Sequence, residues 1–522
     1  MATTIATSII SLAVLLTAFI LHRKLRPRTT LPLPPGPKGL PLLGNINDLP
    51  PPGTLECHHW LTHKDLYGPL SSLSVLGQPF IIINDASLAL ELLRDRALIY
   101  SGRPEFTFAG SMIGWEHVLG MQQPHARFKQ YRKNIAKVAS SAATLKVFDG
   151  VQEEESVRFL GRVLRGPEAL FEHIKMEAGA VILRVTYGYT PREEKDPLVD
   201  MAGTTMVDFA DVMIPGKYLV DVLPALRYLP EWFPGSGFKR VARRMARQLD
   251  RTVELPYQFV KRQMREKSHK TSYLSEAIKD IGLDPQMEFV HKWSAASMYI
   301  AGADTTVASL MTFFLAMMLN PTIQKHAQAE LDALTSRTRL PTSADKDSLP
   351  YITAILKETH RWHPVAPMSL PHATTQEDVV RGYRIPKGAV VMANTWWFTH
   401  DPTVYPEPME FKPERYMGND PAPDPRIYTF GFGRRVCPGR YVADNALFIT
   451  IAQVLSVFNI STVEGEEPAV KFEPGVVSHP VPYKCRITVR DGMAEELVRR
   501  SEGVIGVEES DAGVLGEMGA GM

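Results

Sequence analysis

The most constraining stretch of this chain is Phe-Gly-Phe-Gly-Arg-Arg-Val-Cys-Pro-Gly, residues 430–439. Its glycines permit positive φ values and allow the backbone to approach a flat partner closely. These are Gly431, Gly433 and Gly439. Pro438 suits the start of a helix, and an apolar helix is predicted over Tyr441–Phe458. Cys437 therefore stands at a helix N-terminus, where partial positive charge and free N–H groups favour a thiolate.

The cysteine count limits what this loop can do. The 522 residues contain three cysteines, Cys57, Cys437 and Cys485. Their long spacings fit neither a disulfide framework nor a zinc site, so a reducing compartment is the simplest interpretation. Cys437 should act alone, as a metal ligand or as a nucleophile with a histidine base beside it. A small core residue is the structural alternative, and the glycines around Cys437 disfavour it.

The N-terminus predicts a membrane anchor over residues 1–22. The run Thr3–Leu21 has no charge, and a spanning helix needs about 20 apolar residues. The basic residues that follow it predict a cytosolic body; a cleaved signal peptide would place its charges before the apolar run. Residues 23–40 are predicted to be a basic and Pro-rich linker, because four prolines within residues 31–37 exclude a helix.

The rest of the chain predicts a mainly α fold with minor β structure, in the α+β class, as one large domain over residues 41–495. A hairpin is predicted over Leu73–Asn84. The tail, residues 496–522, mixes acids and glycine and is predicted to be disordered. The net charge of +1 lacks the basic excess of a nucleic-acid-binding protein.

A long apolar helix is predicted over Phe289–Leu319. Its length would suffice to span a membrane, but Asp304 in the middle of the run would cost a few kcal/mol in lipid. The helix is therefore expected to lie in the protein core.

The loop of residues 430–439 resembles the haem-binding signature of the cytochrome P-450 family, F-x-x-G-x-R-x-C-x-G. Every fixed position is present, as Phe430, Gly433, Arg435, Cys437 and Gly439. The resemblance implies a P-450-like haem domain, haem b as cofactor and Cys437 as the axial ligand of the iron. In this family the thiolate pushes electron density to the iron and favours O–O cleavage.

Three shorter runs are similar to fungal secondary-metabolite members, of the O-methylsterigmatocystin oxidoreductase type. They lie at residues 33–37, 399–405 and 478–485. The resemblance then implies an NADPH- and O2-dependent monooxygenase that hydroxylates or further oxidises an apolar terpenoid, polyketide or alkaloid intermediate.

Two further motifs resemble the family's structural ion network. Glu358 and Arg361 match the family's E-x-x-R, and three residues apart on a helix they share one face and can pair. Arg415, within Phe411–Tyr416, matches the arginine that completes this ion network in the family. The resemblance implies that this network supports the cysteine loop and takes no part in the chemistry.

The run Ala301–Thr306 resembles the family's oxygen-activation motif. Gly302 costs about 1 kcal/mol against alanine inside a helix, and room for dioxygen would explain it. Thr305 can bond back to a carbonyl one turn earlier. The resemblance implies that Asp304 and Thr305 relay protons toward dioxygen. The structural alternative is a helix–helix contact at small residues, beside a hydrogen-bonded Asp304.

The haem propionates need cations, and the candidates are Arg435, Arg132 and His372. Arg132 belongs to a W-x-x-x-R pattern in which Phe128 replaces tryptophan, so an indole N–H donor is missing there. The substrate is expected to lie against four apolar residues. These are Ala301, Val365, Ala366 and Met368.

The chain shows no G-x-G-x-x-G after a strand, so it has no nicotinamide domain of that kind. By resemblance, electrons come from NADPH through a separate flavoprotein reductase in the endoplasmic reticulum membrane. Lys129, Lys133 and Lys137 could dock an acidic partner or form a solvated helix face. Two other functions remain open: a haem-thiolate isomerase or dehydratase that needs no external electrons, and a non-catalytic haem sensor or carrier.

Overall fold

A computed structural model describes most of the chain. The described residues are 31–139, 142–214, 216–279, 284–466 and 468–519. The predicted anchor and the basic part of the linker, residues 1–30, lie outside them. Within the described residues most of the chain is helical and the strands are short, as the mainly α prediction requires.

Seventeen α-helices lie within the described residues. They are α1 Glu56–Tyr67, α2 Ala86–Ala89, α3 Ala97–Tyr100, α4 Ala126–Ala139, α5 Ala142–Arg165, α6 Leu170–Tyr187, α7 Pro197–Val212, α8 Phe238–Arg265, α9 Tyr273–Ile278, α10 Pro285–Leu319, α11 Pro321–Thr335, α12 Pro350–Trp362, α13 Thr395–His400, α14 Arg426–Thr429, α15 Arg440–Val457, α16 Gly492–Ile505 and α17 Ala512–Gly519.

The strands form one four-stranded sheet and two hairpins. They are β1 Leu70–Val75, β2 Gln78–Ile83, β3 His372–Ala373, β4 Asp378–Val380, β5 Tyr383–Ile385, β6 Val390–Ala393, β7 Phe458–Ser461 and β8 Arg486–Val489. The sheet has the order β1-β2-β6-β3, in which β2 and β6 are parallel. The predicted hairpin is the antiparallel pair β1–β2, and its turn, Leu76–Gly77, has φ values of 51° and 87°.

The long helix α10 is a core helix, as predicted. Among the described residues it alone is long and apolar enough to cross a membrane, and 67% of its most apolar window is buried. It packs against α4, α6, α7, α8, α12 and α15. Its residues up to Ala303 belong to one large apolar cluster, and those from Val307 belong to a second. Asp304–Thr306 therefore form a polar interruption between the two halves of the core.

The Pro-rich segment belongs to the domain, so the predicted linker to residue 40 is wrong in its described part. The Ser72 N–H donates to the Pro35 carbonyl at 2.8 Å, and the Arg384 N–H donates to the Pro32 carbonyl at 2.8 Å. A side chain at Gly36 would collide with the Ser72 carbonyl. Prolines lack an N–H, but their carbonyls still accept hydrogen bonds from a neighbouring segment.

The tail also corrects the prediction, because residues 496–519 are ordered against the body in α16 and α17. Ala512 and Leu515 are buried. The Thr190 N–H donates to the Asp511 carboxylate at 2.8 Å, and the Asp511 N–H donates to the Thr190 carbonyl. The tail's acids pair with arginines of the body. These pairs are Glu502–Arg165, Glu508–Arg184 and Glu517–Arg262. The mix of acids and glycine in the tail suggested disorder. The arginines that pair with these acids lie far away in the sequence, so the composition of the tail does not reveal them.

Candidate functional site

The cysteine loop is closed by its own backbone. The Cys437 N–H donates to the Phe430 carbonyl at 2.7 Å. Gly433 has φ +48°, and a side chain there would press on the Leu93 carbonyl, so the loop needs glycine at this point. Gly439, at φ −88°, is the N-cap of α15. The helix thus begins just after the cysteine, as the sequence predicts.

The Cys437 thiol experiences opposing influences. Burial raises its pKa, whereas a hydrogen bond from the Gly439 backbone and the charges of Arg132 and Arg440 lower it; the net pKa lies above the usual value. The expected thiolate preference of a helix N-terminus is therefore outweighed by burial in the polypeptide alone. A cation at the sulfur would reverse this, since a coordinating thiol is deprotonated outright.

Arg435 lies within the loop, is buried, and has no carboxylate partner among the described residues. Its Nε donates to the Ser101 carbonyl at 2.8 Å and its Nη2 to the Gln122 carbonyl at 2.6 Å. Its buried Nη1 has no partner within the described residues. The guanidinium carbon lies 4.1 Å from the centre of the Phe128 ring. Phe128, which lacks the indole donor, thus positions Arg435 by stacking.

The other predicted propionate contacts lie in the same region. Arg132 Nη1 donates to the Val436 carbonyl, next to Cys437, at 2.8 Å. His372 Nδ1 is 2.7 Å from the Tyr100 carbonyl, so Nδ1 carries the proton and only Nε2 is free for another group. Burial first, and then the charges of Arg103 and Arg435, lower the pKa of His372 despite that hydrogen bond.

Arg103 joins this group, although the sequence reasoning missed it. It is 5% exposed, and its guanidinium donates to the carbonyls of Gly120, Leu370 and Pro371. Burial, and then the charge of Arg435, lower the pKa of Arg103. A single arginine before a proline has no distinctive spacing, so no local pattern could have identified Arg103.

Arg103, Arg132 and Arg435 form what we call the cation cluster. Burial, followed by the charge of Arg132, lowers the pKa of Arg435 to about 10. None of the three lies within 4 Å of a carboxylate in the part of the chain that the structure describes. Arg103 and Arg435 are buried and Arg132 is half-buried. Buried charges are normally paired, so the cluster calls for an anion from outside the described residues. The two carboxylates of haem b, next to a thiol that can bind its iron, meet this requirement.

The Glu358–Arg361–Arg415 group, in contrast, is complete within the chain. Arg361 Nε and Nη2 donate to the Glu358 carboxylate, both at 2.8 Å, and Arg415 Nε donates to it at 3.1 Å. Both Glu358 and Arg361 are 0% exposed. Arg361 also donates to backbone carbonyls of α13 and of the connection that follows it. These are the carbonyls of Thr399, Pro408 and Glu410.

The polar run in α10 is compatible with both interpretations of its motif, the proton relay and the helix–helix contact. Thr305 Oγ1 donates to the Ala301 carbonyl at 2.8 Å. Asp304 Oδ1 lies 3.1 Å from His479 Nε2. At Gly302 a Cβ would come within 2.9 Å of the Ile182 side chain. The contact between α10 and α6 therefore already accounts for Gly302, independently of any room for dioxygen.

The predicted substrate residues separate into two groups. Ala301 is exposed, and Val365 and Ala366 are half-buried, so their side chains have accessible surface. Met368 is instead buried in the apolar cluster beside the sheet, with Trp60 and Ile82 among its neighbours. We therefore assign Met368 to core packing and remove it from the predicted pocket.

The sequence reasoning missed the apolar residues that the C-terminal loop brings to this region. Val476 and Val477 pack against the apolar cluster that contains Ala303. The Ser478 N–H donates to the Val365 carbonyl at 2.9 Å, which ties the two segments together.

The domain is mainly helical, and Cys437 stands just before the core helix α15. Beside it lie cations that have no carboxylate partner among the described residues. This is the arrangement expected of a haem-thiolate protein. The comparison with known proteins agrees. The sequence profile of the family described as Cytochrome P450 matches residues 34–487. This chain belongs to the cytochrome P450 family.

Its relatives are fungal monooxygenases. The chain is 46% identical to cytochrome P450 monooxygenase claR of Ampulloclitocybe clavipes, over 90% of this chain and 88% of that protein. It is 40% identical to cytochrome P450 monooxygenase ppsD of Aspergillus oryzae, over 98% of this chain and 99% of that protein. It is 38% identical to O-methylsterigmatocystin oxidoreductase of Aspergillus flavus, over 95% of each chain. The protein is thus a haem-thiolate monooxygenase, and its family implies haem iron as the cofactor.

Proposed function

We propose that the protein inserts oxygen from O2 into an apolar small molecule, an intermediate of fungal secondary metabolism, with electrons from NADPH. The observation that carries the proposal is the Cys437 thiol, held in a closed loop beside a cation cluster without a carboxylate. When bound, haem b supplies the activation of oxygen. The polypeptide supplies the ligand, the counter-charges, the pocket and the path for protons.

Cys437 is proposed as the residue that would hold the haem iron, through its sulfur as thiolate. The loop residues Phe430, Gly433 and Gly439 shape its approach: Phe430 is stacked edge-on against His360 of α12 at 5.2 Å. Arg435, Arg132 and His372 are proposed to bind the propionates. Arg103 adds charge to the same region.

The Glu358–Arg361–Arg415 group is proposed to hold the connection that leads into the cysteine loop. Its three side chains join α12 to the segment before α14 through buried charge-assisted hydrogen bonds. A loop that must present one sulfur atom within a few tenths of an ångström needs such rigid support.

Substrate binding and proton transfer are proposed to take place along the polar run of α10. Ala301, Val365 and Ala366 offer apolar surface for a substrate without charge. Thr305 holds its hydroxyl against the Ala301 carbonyl, and Asp304 is proposed to pass protons through it toward oxygen.

Electrons are proposed to arrive from an NADPH-dependent flavoprotein reductase that docks on α4. Lys129, Lys133 and Lys137 are exposed on this helix. None of them lies within 4 Å of a carboxylate among the residues that the structure describes. Free lysines on one face can attract an acidic partner, and Arg132 on the same helix leads to the cysteine loop.

The body is proposed to lie on the cytosolic face of the endoplasmic reticulum membrane, held by a single-pass anchor at the N-terminus. Exposed aromatic residues before α8 support contact with a bilayer: Trp232 is 80% exposed and Tyr228 is 73% exposed. Aromatic side chains of this kind favour the membrane–water interface.

The test uses membranes that carry the full chain and a fungal NADPH-dependent flavoprotein reductase. The reduced carbon monoxide complex should show the absorption band of a thiolate-ligated haem, and Cys437→Ser should remove it. Candidate pathway intermediates should gain oxygen only when NADPH and O2 are both present, as read by mass spectrometry. A histidine-type spectrum, or product formed without NADPH, would contradict the proposal.

A further inference from the structure

The loop of residues 472–480 brings a histidine to the polar run of α10. Three hydrogen bonds set the position of this loop. The Ser478 N–H donates to the Val365 carbonyl at 2.9 Å, the Ser478 hydroxyl is 2.8 Å from His363 Nε2, and the Glu473 N–H donates to the His479 carbonyl at 2.8 Å. The backbone on both sides of His479 is therefore held in place, and its side chain is directed at α10.

His479 meets the acid of the proposed proton path directly. Its Nε2 lies 3.1 Å from Asp304 Oδ1. The two side chains are 21% and 22% exposed, so the pair lies between the packed core and the solvent. Within the described residues Asp304 has no other ion-pair partner.

The electrostatics favour a protonated imidazole at this point. Burial lowers the pKa of His479, but the hydrogen bond and charge of Asp304 and the charge of Glu473 raise it, and the net pKa lies above the usual value. Three titratable groups face His479. They are Asp304 from α10, Glu473 from its own loop and His363 from the segment after α12.

In the proposed proton path, Asp304 passes protons to Thr305, so Asp304 itself needs a proton donor. Its hydroxyl proton is engaged with the Ala301 carbonyl at 2.8 Å. If Thr305 passes a proton on, Asp304 has to be reprotonated before the next transfer, and a partly exposed imidazolium in hydrogen-bond contact is suited to this.

We propose that His479 is a positioning residue of the monooxygenase reaction, which orients the Asp304 carboxylate and supplies it with protons from solvent. In the step, the Nε2–H bond of the His479 imidazolium breaks and an O–H bond forms at Asp304 Oδ1. Neutral His479 then takes a proton at Nε2 from solvent hydronium, which leaves water. Two protons therefore move in sequence, one to Asp304 and one from solvent, and no electrons move. This inference rests on the proposed function, because it concerns the proton supply of that reaction.

The first test measures coupling in the full-length haem-loaded protein with reductase. His479→Gln keeps a hydrogen-bond donor but cannot relay a proton. We expect roughly a tenfold lower ratio of product to NADPH consumed, with the difference released as hydrogen peroxide, because acid–base groups contribute about 10²–10⁴-fold and His479 acts one step removed. The pH dependence of coupling should flatten. His326→Gln, an exposed histidine on α11, is the matched control and should leave both quantities unchanged.

The second test does not depend on turnover. The histidine ring signals of the diamagnetic reduced carbon monoxide complex are titrated by NMR in the wild type and in Asp304→Asn. The pKa of His479 should fall by about one unit in the variant, while that of His326 stays constant.

The outcomes are distinguishable. Unchanged coupling and pH profile in His479→Gln, or a His479 pKa that ignores Asp304→Asn, overturns the relay and leaves the monooxygenase proposal intact. A wild-type protein that forms no product with NADPH and reductase overturns the proposed function itself. If His479→Gln loses its haem, the titration in Asp304→Asn alone decides.

Discussion

Two groups of buried and half-buried arginines in this molecule have their charges balanced in opposite ways. Arg361 and Arg415 share the carboxylate of Glu358, and the Glu358–Arg361 pair is 0% exposed. Among the described residues, the guanidinium groups of the cation cluster donate hydrogen bonds only to backbone carbonyls. The first group is complete in the polypeptide, whereas the second repels itself until an anion arrives. We infer from this difference that the Glu358–Arg361–Arg415 group stabilises the fold and that the cation cluster binds a ligand.

The largest expected effect is the loss of the complete group. Arg361→Met leaves the Glu358 carboxylate buried without its main partner, which should lower the free energy of unfolding by about 3–5 kcal/mol. The measurement is the shift of the urea unfolding midpoint, with haem and without it. Arg499→Met, which breaks an exposed pair with Glu495, should change it by under about 1 kcal/mol. Equal shifts in the two variants would refute the structural role.

A buried carboxylate without a full partner provides a third case. Burial raises the pKa of Glu177 from 4.5 to about 8, although Thr450 and Arg162 lower it. Between these two pH values the folded state holds a proton that the unfolded state has released. Stability should therefore fall as pH rises through this window, by about 1.4 kcal/mol per pH unit.

Glu177→Gln should remove that dependence and be more stable than the wild type near the upper end of the window. Unfolding midpoints at a series of pH values measure this. Glu172→Gln on the same helix, at an exposed position, is the control and should follow the wild type. Parallel wild-type and Glu177→Gln curves would show that Glu177 is already ionised in the fold.

The cation cluster should respond in the opposite sense to the Glu358 group. Arg132→Met should lower haem affinity by about 10–100-fold, the equivalent of one charged hydrogen bond of about 1.5–3 kcal/mol. The haem-free protein should unfold at the same urea concentration as the wild type, because a self-repelling charge has been removed. Transfer of haem to a scavenging globin measures the affinity. Arg127→Met, an exposed arginine on α4, is the control; an apo protein destabilised like Arg361→Met would break the comparison.

The smallest effect is expected at the ring that positions Arg435. Phe128→Leu keeps an apolar side chain but removes the aromatic face 4.1 Å from the guanidinium. Haem affinity should fall a few-fold, since such contacts are worth about 0.5–2 kcal/mol. Phe289→Leu, which removes the ring beside exposed Arg127, should leave haem affinity unchanged. An affinity loss as large as that of Arg132→Met would show that Phe128 does more than stack.

Several features were predictable because their causes are local. The glycines and proline around Cys437, the hairpin turn at Leu76–Gly77 and the apolar run of α10 each follow from the residues of one short segment. The same segments carry the motifs of the cytochrome P450 family, so the class of protein followed from them. The prediction that α10 is a core helix was also confirmed. It followed from Asp304 alone, because a charge in lipid is costly wherever the helix lies in the chain.

The wrong predictions share a physical cause. The tail looked disordered because its acids have no local partners, yet Glu517 finds Arg262 on α8. The proline segment looked like a linker because it cannot be helical, yet its carbonyls accept hydrogen bonds from Ser72 and Arg384. Met368 looked like a pocket residue, yet its side chain is needed in the cluster beside the sheet.

By itself, then, the sequence determined the core helix α10, the hairpin β1–β2, the cysteine loop and the family, since these depend on the spacing of residues along one segment. Only the tertiary structure decided which charges meet. Arg103 and Arg435 are far apart in the chain and repel each other in the fold, and His479 reaches Asp304 across 175 residues. Coulomb forces and desolvation depend on distance in space, which no local pattern records.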